Sequence, residues 1–195
     1  MHSKTLVFAT ANKHKLIEVQ GFLGEGFALH CLADLDIAGE IPETAGSLEG
    51  NALLKARYVY ERCRVACFAD DTGLEIDALG GAPGVYSARY AGPAKDSQAN
   101  MRKVLENMQG CTQRSARFRT VIAYIDDQGG EHLFEGRVEG EILESPVGDQ
   151  GFGYDPIFRP EGYVQSFAQL SLAEKNAISH RARAMRAFCA YLDSL

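Results

Sequence analysis

The sequence predicts an α/β fold built on a mixed, elongated β-sheet with flanking helices. Two observations lead there. From residue 5 to residue 108, short apolar runs with β-branched members alternate with stretches of helical period, as strands joined through helices require. Beyond them, residues 115–126 and 131–143 are long, β-branched and aromatic, and they flank the turn Asp126-Asp127-Gln128-Gly129-Gly130 in the pattern of an antiparallel hairpin.

In chain order, residues 5–10 (TLVFAT) form the first strand. Asn12 then offers a cap to a helix that places Leu16, Val19, Gln20 and Leu23 at helical spacing. Residues 27–33 read as a second strand, followed by an acidic loop with Gly and Pro that runs to Gly46. Ser47 precedes a helix-period segment ending near Arg62. Residues 65–70 (VACFAD) give a buried strand that stops in a dense cluster of carboxylates. GGAPG at 80–84 forces loop geometry, and Asp96 caps a helix through Met108. After the hairpin, Ser171 and Glu174 form a capping box, and Ile178, Ala182, Met185, Cys189 and Leu192 lay an apolar stripe along a final helix. No repeat, low-complexity segment or linker divides the chain, which reads as one α/β unit with the central hairpin as the candidate for a second lobe.

Composition narrows the class. With 195 residues, 46% of them hydrophobic, the chain can build a real core, which excludes a disordered tail or a peptide hormone. Twenty Lys and Arg against 26 Asp and Glu leave a net charge of −6, so no nucleic acid partner is expected and a phosphate-bearing ligand must be met by a local basic pocket. No run approaches the roughly 18 apolar residues of a membrane span. Met1-His2-Ser3-Lys4 leads into a strand rather than a signal peptide, so the expectation is a cytoplasmic protein without a membrane partner. Five cysteines, an odd number in a chain that needs no staples, fit a reducing compartment and free thiols buried as small hydrophobes.

Four constellations can carry chemistry. Thr10-Ala11-Asn12-Lys13-His14-Lys15 lies where a strand gives way to a helix, so open backbone N–H groups and the helix dipole favour an anion, with Thr10, Asn12 and Lys15 as donors. Without the glycines of a phosphate loop, the same residues also describe a capped helix with solvated lysines. The acidic set Glu43, Glu49, Asp70, Asp71, Glu75 and Asp77 contains adjacent carboxylates, which repel unless a proton or cation intervenes, and magnesium suits oxygen ligands and phosphates. Strand alternation turns Asp70 and Asp71 to opposite sides; solvated acids at a strand end are the plainer alternative. In Gly151-Phe152-Gly153-Tyr154-Asp155-Pro156-Ile157-Phe158 the glycines permit close backbone approach, Phe152 and Tyr154 offer flat faces to a heterocycle, and Asp155 offers an acceptor to ring N–H groups. A turn with aromatic core anchors has the same composition. Last, Lys175 and His180 would stand about 140° apart on one regular helix, so to serve one ligand either the long Lys175 reaches around or the helix breaks and restarts with Ser179 as an N-cap. The break is the expectation; a surface charge pattern is the plainer alternative.

Together these segments resemble the inosine triphosphate pyrophosphatase family, on ATANKHK at 9–15, ETAGSLEGNALLKAR at 43–57, ADDTGLEIDALGGAPGVYSARYAG at 69–92, GFGYDPIF at 151–158 and EKNAISHR at 174–181. The resemblance spans nearly the whole chain. It implies two lobes around a central nucleotide-binding cleft, one functional domain over residues 1–195, a homodimer, and Mg²⁺-dependent hydrolysis of deaminated purine nucleoside triphosphates (ITP, dITP, XTP) to monophosphate and pyrophosphate. It makes Thr10, Ala11, Asn12, Lys13, His14 and Lys15 the triphosphate loop, Asp71 the general base and a metal-associated acid, Glu43 a second metal ligand and Thr72 a substrate contact. Phe152, Gly153, Tyr154 and Asp155 become a base-binding segment, completed by Lys175, His180 and Arg181. Lys55 joins Lys15 and Lys175 in offsetting phosphate charge. Two positions depart from the family pattern: Thr72 stands where Ser is usual, and Gly50 follows Glu49 where a second acid is common. A pyrophosphatase for other modified bases and a nucleotide-binding regulator without turnover are the alternatives.

Overall fold

Seven strands share one mixed sheet in a computed structural model that describes residues 4–23, 26–35, 37 and 41–195. β1 (Lys4–Phe8) runs parallel to β2 (Phe27–Cys31), Lys4 opposite Phe27 and Phe8 opposite Cys31, and parallel to β3 (Cys67–Ile76) through Val7 and Phe8. The order continues β3, β5 (Ser115–Ile125), β6 (Glu131–Ile142), β7 (Phe158–Pro160), while β4 (Pro83–Gly84) pairs antiparallel with β3. Five α-helices accompany the strands among the described residues, in agreement with the α/β class.

The chain forms two compact units, one of Met1–Asp71, Thr120–Gly136 and Ala182–Leu195, the other of Thr72–Arg119 and Arg137–Arg181. In the first, α1 (Lys13–Gln20) and α2 (Leu48–Cys63) make the crossovers between parallel strands. Both starts are capped, α1 by Asn12 Oδ1, which accepts the N–H groups of His14 and Lys15, and α2 by Ser47 Oγ, which accepts that of Gly50. The core gathers Leu6, Phe8, Val19, Phe68, Ile122, Met185 and Phe188. Phe8 and Phe68 stack with centroids 4.5 Å apart; burying each such ring contributes about 1.5–3 kcal/mol.

In the second unit α3 (Ser97–Asn107) starts at Asp96, whose carboxylate accepts from Gln98 and Ala99, and α4 (Leu172–Ile178) starts at the Ser171–Glu174 capping box. β6 and β7 are antiparallel, Gly140 opposite Pro160. The core is Leu74, Ile76, Met101, Val104, Phe118, Val138, Ile157, Phe158 and Phe167.

Several expectations need correction. The hairpin is no lobe by itself: residues 115–119 and 137–142 belong to the second unit, and its tip to the first. β3 does not stop at Asp70 but continues through both aspartates to Ile76, because each carboxylate finds a lysine, half-buried Lys15 for Asp70 and buried Lys55 for Asp71, and Leu74 and Ile76 resume the inward apolar pattern. The apolar stripe after residue 171 divides between α4 and α5 (His180–Leu192), separated by extended backbone at Ser179 (φ −64°, ψ 157°), the interruption expected there. Ile178 thus packs in the second core, whereas Met185, Cys189 and Leu192 pack in the first. All five cysteines are free, but only Cys67 is fully buried, and burial pushes its thiol up to about 12. The acidic loop before Gly46 includes residues 36 and 38–40, and the leader reading includes residues 1–3; both lie partly outside the described residues.

Residue 50 is sterically confined. A Cβ on Gly50 would stand 2.6 Å from Ala45 Cβ, closer than real Cβ atoms approach, and a tight 3.2 Å from Ser47 Oγ, so a second acid beside Glu49 would force the 43–47 segment to shift. Gly50→Glu is expected to cost about 1–3 kcal/mol in urea unfolding, the usual range for forced overpacking. Unchanged stability would show that the 43–47 segment yields freely.

Candidate functional site

Within the first unit, two helices each send a lysine to β3. Lys15, in the first turn of α1, places Nζ 2.9 Å from Asp70 Oδ1. Lys55, on α2, places Nζ 3.1 Å from Asp71 Oδ1 and 2.8 Å from Glu43 Oε1. Asn51, one turn before Lys55 and therefore on the same helix face, donates from Nδ2 to Asp71 Oδ2 at 3.2 Å and accepts the Ala45 N–H on Oδ1 at 2.9 Å. The sequence reading missed Asn51, although its spacing of four from Lys55 carried the signal.

Three carboxylates (Glu43, Asp70, Asp71) meet two ammonium groups (Lys15, Lys55) in this cluster. Burial pushes the Asp71 carboxyl above the usual carboxylate range, against the pull of Lys55 and Lys15. For Lys55 burial works against the charge, yet Asp71, Glu43 and Asp70 together hold its ammonium above the ordinary lysine value. Among the described residues no three His, Cys, Asp or Glu side chains gather as a metal cluster. Glu43 and Asp71 nevertheless converge on one position, where Lys55 Nζ sits.

The helix-start loop offers an anion less open backbone than its sequence suggested. Asn12 Oδ1 takes the N–H groups of His14 and Lys15, and Thr10 Oγ1 accepts that of Asn12 at 3.1 Å. Ala11, Lys13 and His14 are exposed, Thr10 is buried, and Lys15 points to Asp70. The other acids serve elsewhere: Glu49 lies half-buried in the first turn of α2, and Asp77 and Glu75 pair with Arg117 in the second unit at 2.9 and 3.8 Å.

A second cluster stands within the second unit. Asp155, 3% exposed, accepts on Oδ2 both the Phe152 N–H at 2.9 Å and Lys175 Nζ at 2.7 Å. Gly151 makes this possible, since at φ +74° a Cβ would fall on that same oxygen. Phe152 is half-buried, with Lys175 Nζ 4.9 Å and the Arg181 guanidinium 5.7 Å from its ring centroid. Arg181, 2% exposed, donates to Thr72 Oγ1 at 3.1 Å, and the buried His180 ring stacks on Phe118 with centroids 4.6 Å apart. Tyr154 does not present the open face that its composition suggested. Its ring is buried in the core and its hydroxyl donates to Ser87 O at 2.7 Å, while burial raises the phenol above its ordinary value.

Residues 6–191 match the model of the Ham1 family. The chain belongs to the Ham1 family. This Ham1-family chain is 50% identical over 182 residues to the dITP/XTP pyrophosphatase of Flavobacterium psychrophilum, covering 93% of this chain and 95% of that protein. To the dITP/XTP pyrophosphatase of Porphyromonas gingivalis it is 52% identical over 181 residues, covering 92% and 93%. Among solved structures, the Ham1 protein of Staphylococcus aureus superposes with a TM-score of 0.90 at 36% identity, covering 98% of this chain and 99% of that one. The HAM1 protein of Coxiella burnetii gives the same TM-score and identity over 98% and 100%.

The Asp155–Lys175 pair is open to a direct test. Asp155→Asn keeps an acceptor for the Phe152 N–H but removes the carboxylate from a buried ammonium, so urea unfolding is expected to show a loss of about 3–5 kcal/mol. The apolar double replacement D155L/K175M is expected to lose less than D155N. Equal losses would mean that packing, not charge, holds this corner.

Proposed function

We propose that this chain hydrolyses deaminated purine nucleoside triphosphates (dITP, XTP and ITP) to the nucleoside monophosphate and pyrophosphate, withdrawing them from the nucleotide pool. The buried carboxylate and lysine cluster around Asp71 carries the reading, in a chain about half identical to relatives named dITP/XTP pyrophosphatases. In this proposal residues 1–195 are one functional domain. The first-unit cluster serves the phosphates, and the second serves the base.

Asp71 accepts the proton of a water that attacks the α phosphorus in line with departing pyrophosphate. A carboxyl lifted by burial takes that proton more readily than an ordinary aspartate. Lys15 and Lys55 offset the charge that would repel the nucleophile, and Thr10, Asn12, Lys13 and His14 add contacts to the phosphate tail. Glu43 and Asp71 would hold Mg²⁺, to which their hard oxygens are suited, with the remaining ligands supplied by phosphate and water. When bound, the ion supplies charge neutralisation at the phosphates. That two carboxylates converge on a lysine ammonium supports a demand for positive charge at this point.

For the base, the Phe152 ring provides a stacking face, with Gly153 leaving the approach open and Tyr154 anchoring the segment. Asp155 and Lys175 hold Phe152 in place. Arg181, oriented by Thr72 and followed through α5 from His180, donates to the 6-oxygen of hypoxanthine or xanthine. Adenine's amino group would leave that donor unmatched, a loss of about 1–3 kcal/mol for each buried unsatisfied group. The family resemblance extends the proposal to a homodimer. Five free cysteines and the lack of any described helix long and apolar enough to cross a membrane accord with work in a reducing cytoplasm.

The deciding assay is pyrophosphate release from dITP, XTP, ITP, ATP and GTP, with and without Mg²⁺. Release from the first three, dependent on Mg²⁺, is expected; equal turnover of ATP would overturn the base assignment. Asp71→Asn keeps side-chain size but loses the proton acceptor, and turnover is expected to fall at least about a hundredfold in a folded protein. Near-parent rates would remove Asp71 from the reaction. The acidic limb of kcat/KM should have its midpoint above the ordinary aspartate value, since burial favours the protonated, inactive form. Lys55→Met takes away a positive neighbour that favours the carboxylate, so the limb should move to still higher pH. A shift to lower pH would contradict the electrostatic role given to Lys55.

A further inference from the structure

We infer that Asn51 is a positioning residue, one that sets the Asp71 carboxylate and the Glu43-bearing segment against each other. The inference rests on the proposed roles of Asp71 and Glu43 as the acids of the phosphate site. Asn51 is fully buried on α2 and spans two elements with one amide. Its orientation follows from its neighbours: the Ala45 N–H only donates, so Oδ1 faces it, and an ionised carboxylate only accepts, so Nδ2 faces Asp71. No acidic or cationic side chain of this length combines a donor at one end with an acceptor at the other. The amide therefore ties Ala45, two residues from Glu43, to the strand that carries Asp71.

Lys55, one helical turn later, completes the arrangement. It donates to Asp71 Oδ1 while Asn51 donates to Oδ2, so two consecutive turns of α2 grip the two oxygens of one carboxylate. A single donor would leave the carboxylate free to swing about its Cβ–Cγ bond. Two donors to different oxygens fix its plane and leave the outward lone pairs of both oxygens aimed in set directions. Lys55 also reaches Glu43, but through a flexible stem; the short amide supplies the rigid arm. The Asn51 N–H donates to Ser47 O, the ordinary first-turn bond of the helix.

Asn51→Leu keeps the branching at Cγ and removes both hydrogen bonds, and Asn51→Ala serves if the larger apolar side chain disturbs folding. Three measurements read the outcome on full-length protein: kcat and KM for dITP with Mg²⁺, Mn²⁺ binding followed by electron paramagnetic resonance in the presence of α,β-methylene-dITP, and the melting temperature. A positioning role predicts that kcat falls about tenfold or more while KM stays within about twofold, because geometry at the reacting atoms is lost and substrate binding is not. Mn²⁺ binding should weaken several-fold. Parent-like kcat and Mn²⁺ binding would overturn the inference whatever happens to the melting temperature, and so would a rise confined to KM. Asp71→Asn in the same assay separates the two levels: if it retains activity, the reading of Asp71 fails, whereas an inactive D71N beside parent-like Asn51 variants sinks this inference alone.

Discussion

Two adjacent aspartates in the middle of a strand are the constraint around which the first unit is arranged. Side chains that follow one another along β3 leave on opposite sides, and Asp70 and Asp71 pair with lysines from different helices: Lys15 from α1 and Lys55 from α2. Removing one partner of a buried pair typically costs about 3–5 kcal/mol. Both helices are therefore held to β3 by charge as well as by packing, and their start positions matter. The caps at Asn12 and Ser47 fix where each helix begins and so where its lysine points.

The second unit solves a related problem with one carboxylate. Asp155 brings together a backbone N–H and a lysine, so the turn that presents Phe152 and the helix that carries Lys175 are pinned at one oxygen. Glu174, the acid adjacent to Lys175, is committed to the Ser171 cap, which leaves Asp155 as the carboxylate that the lysine reaches. Tyr154 turns inward between these polar groups and fastens the segment to Ser87. The turn is thus held from two sides, by an ion pair and by a core anchor, while Phe152 between them remains half-buried.

What the chain order announced was mostly local. The caps at Asn12, Ser47, Asp96 and Ser171 bind atoms two or three residues away, so their residue types alone locate the helix starts. The break at Ser179 followed from angular arithmetic on one helix. The misreadings concern partners far apart in sequence. Lys15 and Asp70 are 55 positions apart, and nothing near Asp70 in the chain reveals that a cation will pair with it, so the strand reading stopped where the acids begin. Asn51 stood one helical turn from Lys55, but the strand residue that gives it a role lies 20 positions further on. Composition around Gly153 equally could not say that Tyr154 would turn inward and Phe152 would not. Five ordered motifs identified the family without resolving these side-chain directions.

Gly151 carries a consequence for how this family can drift. Every replacement brings a Cβ, and here that atom would land on the Asp155 oxygen that accepts two donors. A change at 151 by itself expels the carboxylate from its partners. A change at 155 by itself strands the lysine but leaves residue 151 free to accept a side chain only if the backbone also abandons its left-handed turn. The dependence therefore runs one way: a side chain at 151 costs the 155 carboxylate its place beside Lys175, whereas the left-handed backbone at 151 favours glycine whatever stands at 155.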